Sequence, residues 1–165
     1  MGKYPAALEY FAPPLEILKL TLPPNHPDLA TSYNSIGNVY NNMDESLKAL
    51  ESYEKSLEIR KIALPPNHLV LAKSYTNIGH VYYKMGQYSK ALESYEQALE
   101  IRKKDLPIND AELATCYSSI GNTYYNMNQY STALEFYEQV LEIRKSILIP
   151  NHPDVAVIYK DIGDV

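Results

Sequence analysis

The sequence has no tryptophan, two phenylalanines and a single cysteine, Cys116. One thiol cannot close a disulfide within the chain, so Cys116 is expected to be a small buried residue. Basic residues are the minority sign, 15 Lys plus Arg against 20 Asp plus Glu, for a net charge of −5. A nucleic-acid surface needs a basic stripe, and this balance argues against one. No apolar run approaches the roughly 20 residues of a membrane span. No positively charged segment followed by an apolar stretch opens the chain, as a secretory signal would. Neither a nucleic-acid nor a membrane partner is therefore expected, and with a free thiol the expected compartment is the cytoplasm.

Glycine is also sparse, with six copies, and none forms a phosphate-cradling loop. No Cys-x-x-Cys or His-Glu-x-x-His spacing exists to hold a metal. His26, His68 and His152 stand at one and the same point of different repeated units, too far from one another to converge. They are expected to serve as loop or helix-cap residues, as is Asp110, which replaces them in the third unit. No metal, cofactor or catalytic constellation is predicted, and the chain is not expected to be an enzyme.

Tyrosine, by contrast, occurs 16 times, in a chain that is 45% apolar and 21% charged. That balance indicates a folded protein. The tyrosines are periodic. Leu22-Pro23-Pro24-Asn25-His26 returns as Leu64-Pro65-Pro66-Asn67-His68, as Leu106-Pro107-Ile108-Asn109-Asp110 and as Leu148-Ile149-Pro150-Asn151-His152, with a constant period of 42 and no gap. A fixed period of this size means one supersecondary unit reused. Leu29, Tyr33, Ile36 and Tyr40 lie on one face of a helix. Ala49, Leu50, Tyr53 and Leu57 do the same in a second segment, residues 45–62. Pro23-Pro24 and Pro65-Pro66 forbid continuation of the preceding helix. Pro27 and Pro153 suit a first helical turn. Gly86 and Asn128 tolerate the left-handed geometry of a tight turn between helices; Asp44, at the same point of the first unit, does so less readily.

Gly37, Gly79 and Gly121 recur within the first helix, each costing about 1 kcal/mol relative to alanine. Their repetition predicts close backbone contact with the second helix, where Ala49, Ala91 and Ala133 are small. Tyr53, Tyr95 and Tyr137 would fill the space beyond.

Small and aromatic residues in this arrangement resemble tetratricopeptide repeats. The carrying residues are Tyr33, Ile36, Gly37, Tyr40, Ala49 and Tyr53, with Tyr75, Gly79, Tyr82, Ala91 and Tyr95, then Tyr117, Gly121, Tyr124, Ala133 and Tyr137. The chain departs from the common form in using tyrosine where tryptophan is frequent, and in a period of 42 against about 34. The longer period, the Leu-Glu-Ile-Arg-Lys run and Asn-His-Pro-Asp resemble the repeats of kinesin light chains. The resemblance implies an all-α, right-handed superhelical solenoid of antiparallel helix hairpins. Its first helices would line a concave groove that binds a protein or peptide ligand.

The units run over residues 22–63, 64–105 and 106–147. Residues 1–21 read as the second helix of a partial repeat, since Met1-Gly2-Lys3-Tyr4 matches Met85-Gly86-Gln87-Tyr88. Pro13-Pro14 should kink or break it. Residues 148–165 read as the first helix of another partial repeat. Two expectations follow: a piece of a longer array, or end-to-end self-association through the complementary halves.

No charged residue occurs from Leu29 to Met43 or from Leu113 to Met127, and the middle unit adds only Lys73 and Lys84. Glu51, Glu54, Lys55, Glu58, Arg60 and Lys61 crowd one second helix and read as a solvated convex face. The expected groove is neutral and polar: Asn34, Asn38, Lys73, Thr76, His80, Tyr83, Lys84, Ser118, Asn122 and Tyr125. The resemblance implies that Asn38 and Asn122 each hold a peptide backbone amide through paired donor and acceptor. No cluster of lysines and arginines that would clamp a terminal carboxylate is assembled, and a mixed polar and aromatic peptide fits the groove better than a strongly acidic one.

Overall fold

The computed structural model describes residues 15–105, 111–147, 159–160 and 162–163. The proposed kink at Pro13-Pro14, the caps at Asp110 and His152, and Pro153 lie outside them. Six helices follow a short helical run at residues 15–21: α1 (Pro27–Asn42), α2 (Ser46–Ala63), α3 (Leu69–Lys84), α4 (Tyr88–Asp105), α5 (Ala111–Asn126) and α6 (Tyr130–Ile147). Each odd helix packs most extensively on the even helix that follows it, and less on its other neighbour. The result is three hairpins stacked in chain order, with no strand among the described residues.

Local chemistry sets these boundaries. His26 and His68 cap α1 and α3: each Nδ1 accepts the amide N–H two residues on, at 3.2 Å. Pro27 then occupies the first turn of α1, where its missing N–H costs little. Leu64 turns to extended geometry and Pro65-Pro66 bars resumption of α2. The three interhelical turns place Asp44, Gly86 and Asn128 in the left-handed region, at φ 57°, 71° and 59°.

The close approach within each hairpin differs in one respect from the sequence expectation. A methyl group added to Gly37 or Gly79 would meet the ring of Tyr53 or Tyr95 at 2.7 Å, and one on Gly121 the ring of Tyr137 at 2.8 Å. The glycine thus makes room for the tyrosine ring itself, instead of admitting an alanine-lined backbone with the ring beyond. Ala49, Ala91 and Ala133 are fully buried nearby. Within the first hairpin the buried Ser56 hydroxyl donates to the Ala30 carbonyl at 2.6 Å. One apolar cluster runs from Ala49 to Ile143, crossing both boundaries between hairpins, and a second joins Leu15 to Leu29, Ala30, Ile36 and Ile59 of the first hairpin. No described helix is long and apolar enough to cross a membrane.

Candidate peptide-binding groove

On α1 the residues Thr31, Asn34, Asn38, Asn41 and Asn42 fall in one helical stripe. The same register gives Lys73, Thr76, His80, Tyr83 and Lys84 on α3, and Thr115, Ser118, Asn122, Tyr125 and Asn126 on α5. Hydrogen bonds from the stripes or the residue beside them show that successive stripes lie side by side. Asn77 Nδ2 donates to Asn34 Oδ1 at 3.2 Å, Lys84 Nζ to the Asn41 carbonyl at 3.1 Å, and Asn126 Nδ2 to the Tyr83 hydroxyl at 2.8 Å.

Much of the stripe's bonding capacity is used inside the protein. Asn38 and Asn122 are exposed, but each Oδ1 accepts a hydrogen bond at 2.7 Å, from the hydroxyls of Tyr53 and Tyr137. The amide N–H donors are therefore the part of each side chain left for a ligand. Burial pushes the Tyr53 hydroxyl up to about 12, so it remains a protonated donor at neutral pH. His80 takes the same register position in the middle unit; it is exposed, and desolvation with nearby Lys84 lowers its pKa.

Asn34 is half-buried and accepts from Asn77 and, at 3.4 Å, from Arg60. Thr76 returns its hydroxyl to the Ala72 carbonyl at 3.0 Å, and Ser118 is half-buried. Tyr83 stacks at a tilt on Tyr88, centroids 5.7 Å apart, and Tyr125 meets Tyr130 edge-on at 5.4 Å. Lys84 is drawn to Asp44 at 2.6 Å, so it ties the second unit to the turn of the first. Its hydrogen bond and charge hold the Asp44 carboxyl below the usual range. Lys73 is exposed and makes no ion pair among the described residues.

The even helices carry the ion pairs Glu51–Lys55 at 2.6 Å and Glu100–Lys104 at 2.7 Å, each four residues apart. Arg60 does not belong with them. It is half-buried between units and donates to Ser74 Oγ at 2.7 Å. Its copy Arg102 is 5% exposed and bonded to the carboxylate of Glu112. Cys116 is buried beside it, and burial raises its thiol pKa, so the thiolate that would react is disfavoured.

A ladder of cation–π contacts escaped the sequence reading. Lys19, Lys61, Lys103 and Lys145 lie over the rings of Tyr33, Tyr75, Tyr117 and Tyr159, at 5.8, 5.3, 5.3 and 5.4 Å. Lys61 and Lys103 lie near the end of one hairpin and Tyr75 and Tyr117 within the first helix of the next, so those two rungs span the junctions between hairpins; Lys19 reaches the first hairpin from the run at residues 15–21, and Lys145 reaches Tyr159 from the third. The sequence signal was an offset from lysine to tyrosine that is the same at all four rungs. Amphipathic stems and aromatic faces are favourable partners even at exposed sites.

Similarity searches agree with this geometry. Sequence models described as tetratricopeptide repeat match residues 1–62 and 28–104, and a second model of that description matches 113–154. No curated protein matches. Among solved structures, a Podosopora anserina putative kinesin light chain with nearly identical TPR-like repeats is 23% identical, with a TM-score of 0.86 over 99% of this chain and 77% of that one. BtubC (BKLC) from P. vanneervenii is 22% identical, with a TM-score of 0.88, over 99% of this chain and 65% of the other. The N-terminal domain of stress-induced protein-1 (STI-1) from C. elegans is 20% identical, with a TM-score of 0.61, over 83% of this chain and 96% of that domain. At these identities the likeness is one of fold, a right-handed superhelical solenoid with kinesin-light-chain-like repeats. With stacked hairpins, the glycine–tyrosine contact in each and repeat models covering most of its length, the chain belongs to the tetratricopeptide repeat family.

Proposed function

We propose that this chain is a non-catalytic scaffold that holds an extended peptide segment of a protein partner in the stripe formed by α1, α3 and α5. The observation that carries the reading is the bonding of Asn38 and Asn122. With each carbonyl oxygen engaged by a tyrosine hydroxyl, the exposed amide groups offer donors suited to peptide carbonyls. This narrows the sequence expectation, which gave each asparagine a paired donor and acceptor. Tyr83 and Tyr125 supply aromatic surface one turn further on. The buried free thiol supports a reducing compartment, the cytoplasm.

The test is selection from a random peptide display library on the folded protein. The best clone should lose about tenfold in affinity on combined Asn38→Ala and Asn122→Ala substitution, as expected for two lost hydrogen bonds. Unchanged affinity would remove these asparagines from the groove.

End-to-end self-association is a second reading, favoured by one observation. Ile59, Ile101 and Ile143 are 9%, 8% and 5% exposed, whereas Ile17, at the same register position, is 61% exposed. Light scattering across a wide concentration range decides it. A mass that stays near 18.8 kDa overturns this reading.

A further inference from the structure

The arginine near the end of each second helix does not meet the same surroundings at every junction. Between the second and third hairpins, Arg102 is neutralised by Glu112. Between the first and second, Val70 occupies the register position of Glu112. Arg60 makes two hydrogen bonds there, both from Nη1 and both to neutral acceptors, Ser74 Oγ and Asn34 Oδ1. It forms no ion pair among the described residues. Beside it the junction forms a partly open pocket of about 260 Å³, lined by residues that include Arg60, Pro27, Thr31, Ile59, His68 and Val70.

A half-buried guanidinium without a counter-charge carries a desolvation cost that an opposite charge would offset. The lining also selects the size and shape of that anion. It is mostly aliphatic and falls below the roughly 300–1,000 Å³ of drug-sized pockets, so a small acid with an apolar body fits better than a heavily hydrated polyanion. His68 adds a second donor: its Nδ1 accepts the Val70 amide, which leaves the ring proton on Nε2.

We propose that the junction between the first two hairpins binds a short aliphatic carboxylate, with the anionic end on Arg60 and the apolar end against Ile59, Val70 and Pro27. The carboxylate takes the place that Glu112 fills one junction later. Two sources share this chemistry, a free small acid and the terminal carboxylate of a peptide. Asn38 and Asn122, which carry the groove reading, do not line this pocket, so the two proposals can succeed or fail separately.

Sodium isobutyrate and neutral isobutyramide are the first probes, titrated at constant ionic strength into arginine-labelled protein while the Arg60 side-chain NMR signal is followed. Isobutyrate should shift that signal saturably, and isobutyramide should bind about tenfold more weakly, having no charge-assisted hydrogen bond to make. Val70→Glu places a carboxylate of the protein's own beside Arg60. It should abolish the response while melting at or above the parent temperature. Arg60→Met, which keeps the aliphatic stem, should abolish isobutyrate binding too, read by ligand-observed NMR. A tetrapeptide ending in valine, as free acid and as amide, then identifies the source. Tighter binding of the free acid than of isobutyrate assigns a peptide terminus, and equal or weaker binding assigns a free acid. No saturable shift up to about 0.1 M isobutyrate, equal binding of the amide probe, or binding retained in Val70→Glu would each overturn the proposal.

Discussion

Beneath each of the three buried tyrosines Tyr53, Tyr95 and Tyr137 lies a glycine that a methyl group would turn into a clash. For Gly79→Ala two effects compete. Alanine gains about 1 kcal/mol of helix propensity, while forcing a packed ring to shift costs about 1–3 kcal/mol. The ring has nowhere free to go, being 3% exposed in the shared core, so the clash wins. Urea unfolding should show a net loss of about 1 kcal/mol, and a gain would mean the contact does not constrain the hairpin. Tyr53→Phe probes the other end of the same side chain. It keeps the ring over Gly37 but removes the hydroxyl that holds Asn38, and should cost about 0.5–1.5 kcal/mol by the same measurement. The glycine and tyrosine positions were legible in the sequence because both recur once in every unit at a fixed place. The bond from tyrosine to asparagine was not, although its 15-residue interval also recurs. Only the folded hairpin shows that the hydroxyl reaches across.

Among the elements, the turns were read well and one set of charges was not. Asp44 holds a left-handed conformation that Gly86 adopts at the same point of the next unit. Lys84 compensates with an ion pair, but that pair is exposed and screened by solvent. Relief of backbone strain should outweigh it, so Asp44→Gly is expected to raise the melting temperature. A fall would show that the lysine contact governs the turn. On α3, His80 binds its proton less readily when folded, because of desolvation and Lys84. Its contribution to stability is complete above the unfolded pKa of about 6.5 and is lost as pH falls through the lower folded value. His80→Asn, which copies Asn38 and Asn122, should flatten that slope between melting curves taken near pH 7.5 and near pH 5.5. Arg60 was misassigned to a solvated face because helical periodicity alone cannot show the next unit closing over it, as the third unit closes over its copy Arg102. Their neighbours Lys61 and Lys103 are exposed, one step round the same helix.

At the level of the whole molecule, stability is distributed along the stack, since each described hairpin packs chiefly on its neighbours. Shortening the chain to residues 1–105 should lower both the urea midpoint and the slope of the transition, because less surface is then exposed on unfolding. An unchanged midpoint would mean that the third hairpin contributes nothing to the second. The period of 42 is the spacing at which the first helices of the three described hairpins begin. The structure added what joins them: shared apolar core, lysines on tyrosine faces, and an arginine whose partner changes from one junction to the next.

The constant register has a genetic consequence. Recombination between the similar stretches at Leu64 and Leu106 would excise residues 64–105 in frame and bring Ala63 directly before Leu106. The rung would be re-formed from what remained, with Lys61 facing Tyr117 and Arg60 facing Glu112. Such an accident would leave a shorter array with a closed junction, whereas point mutation must introduce an acid at Val70 to reach the same end.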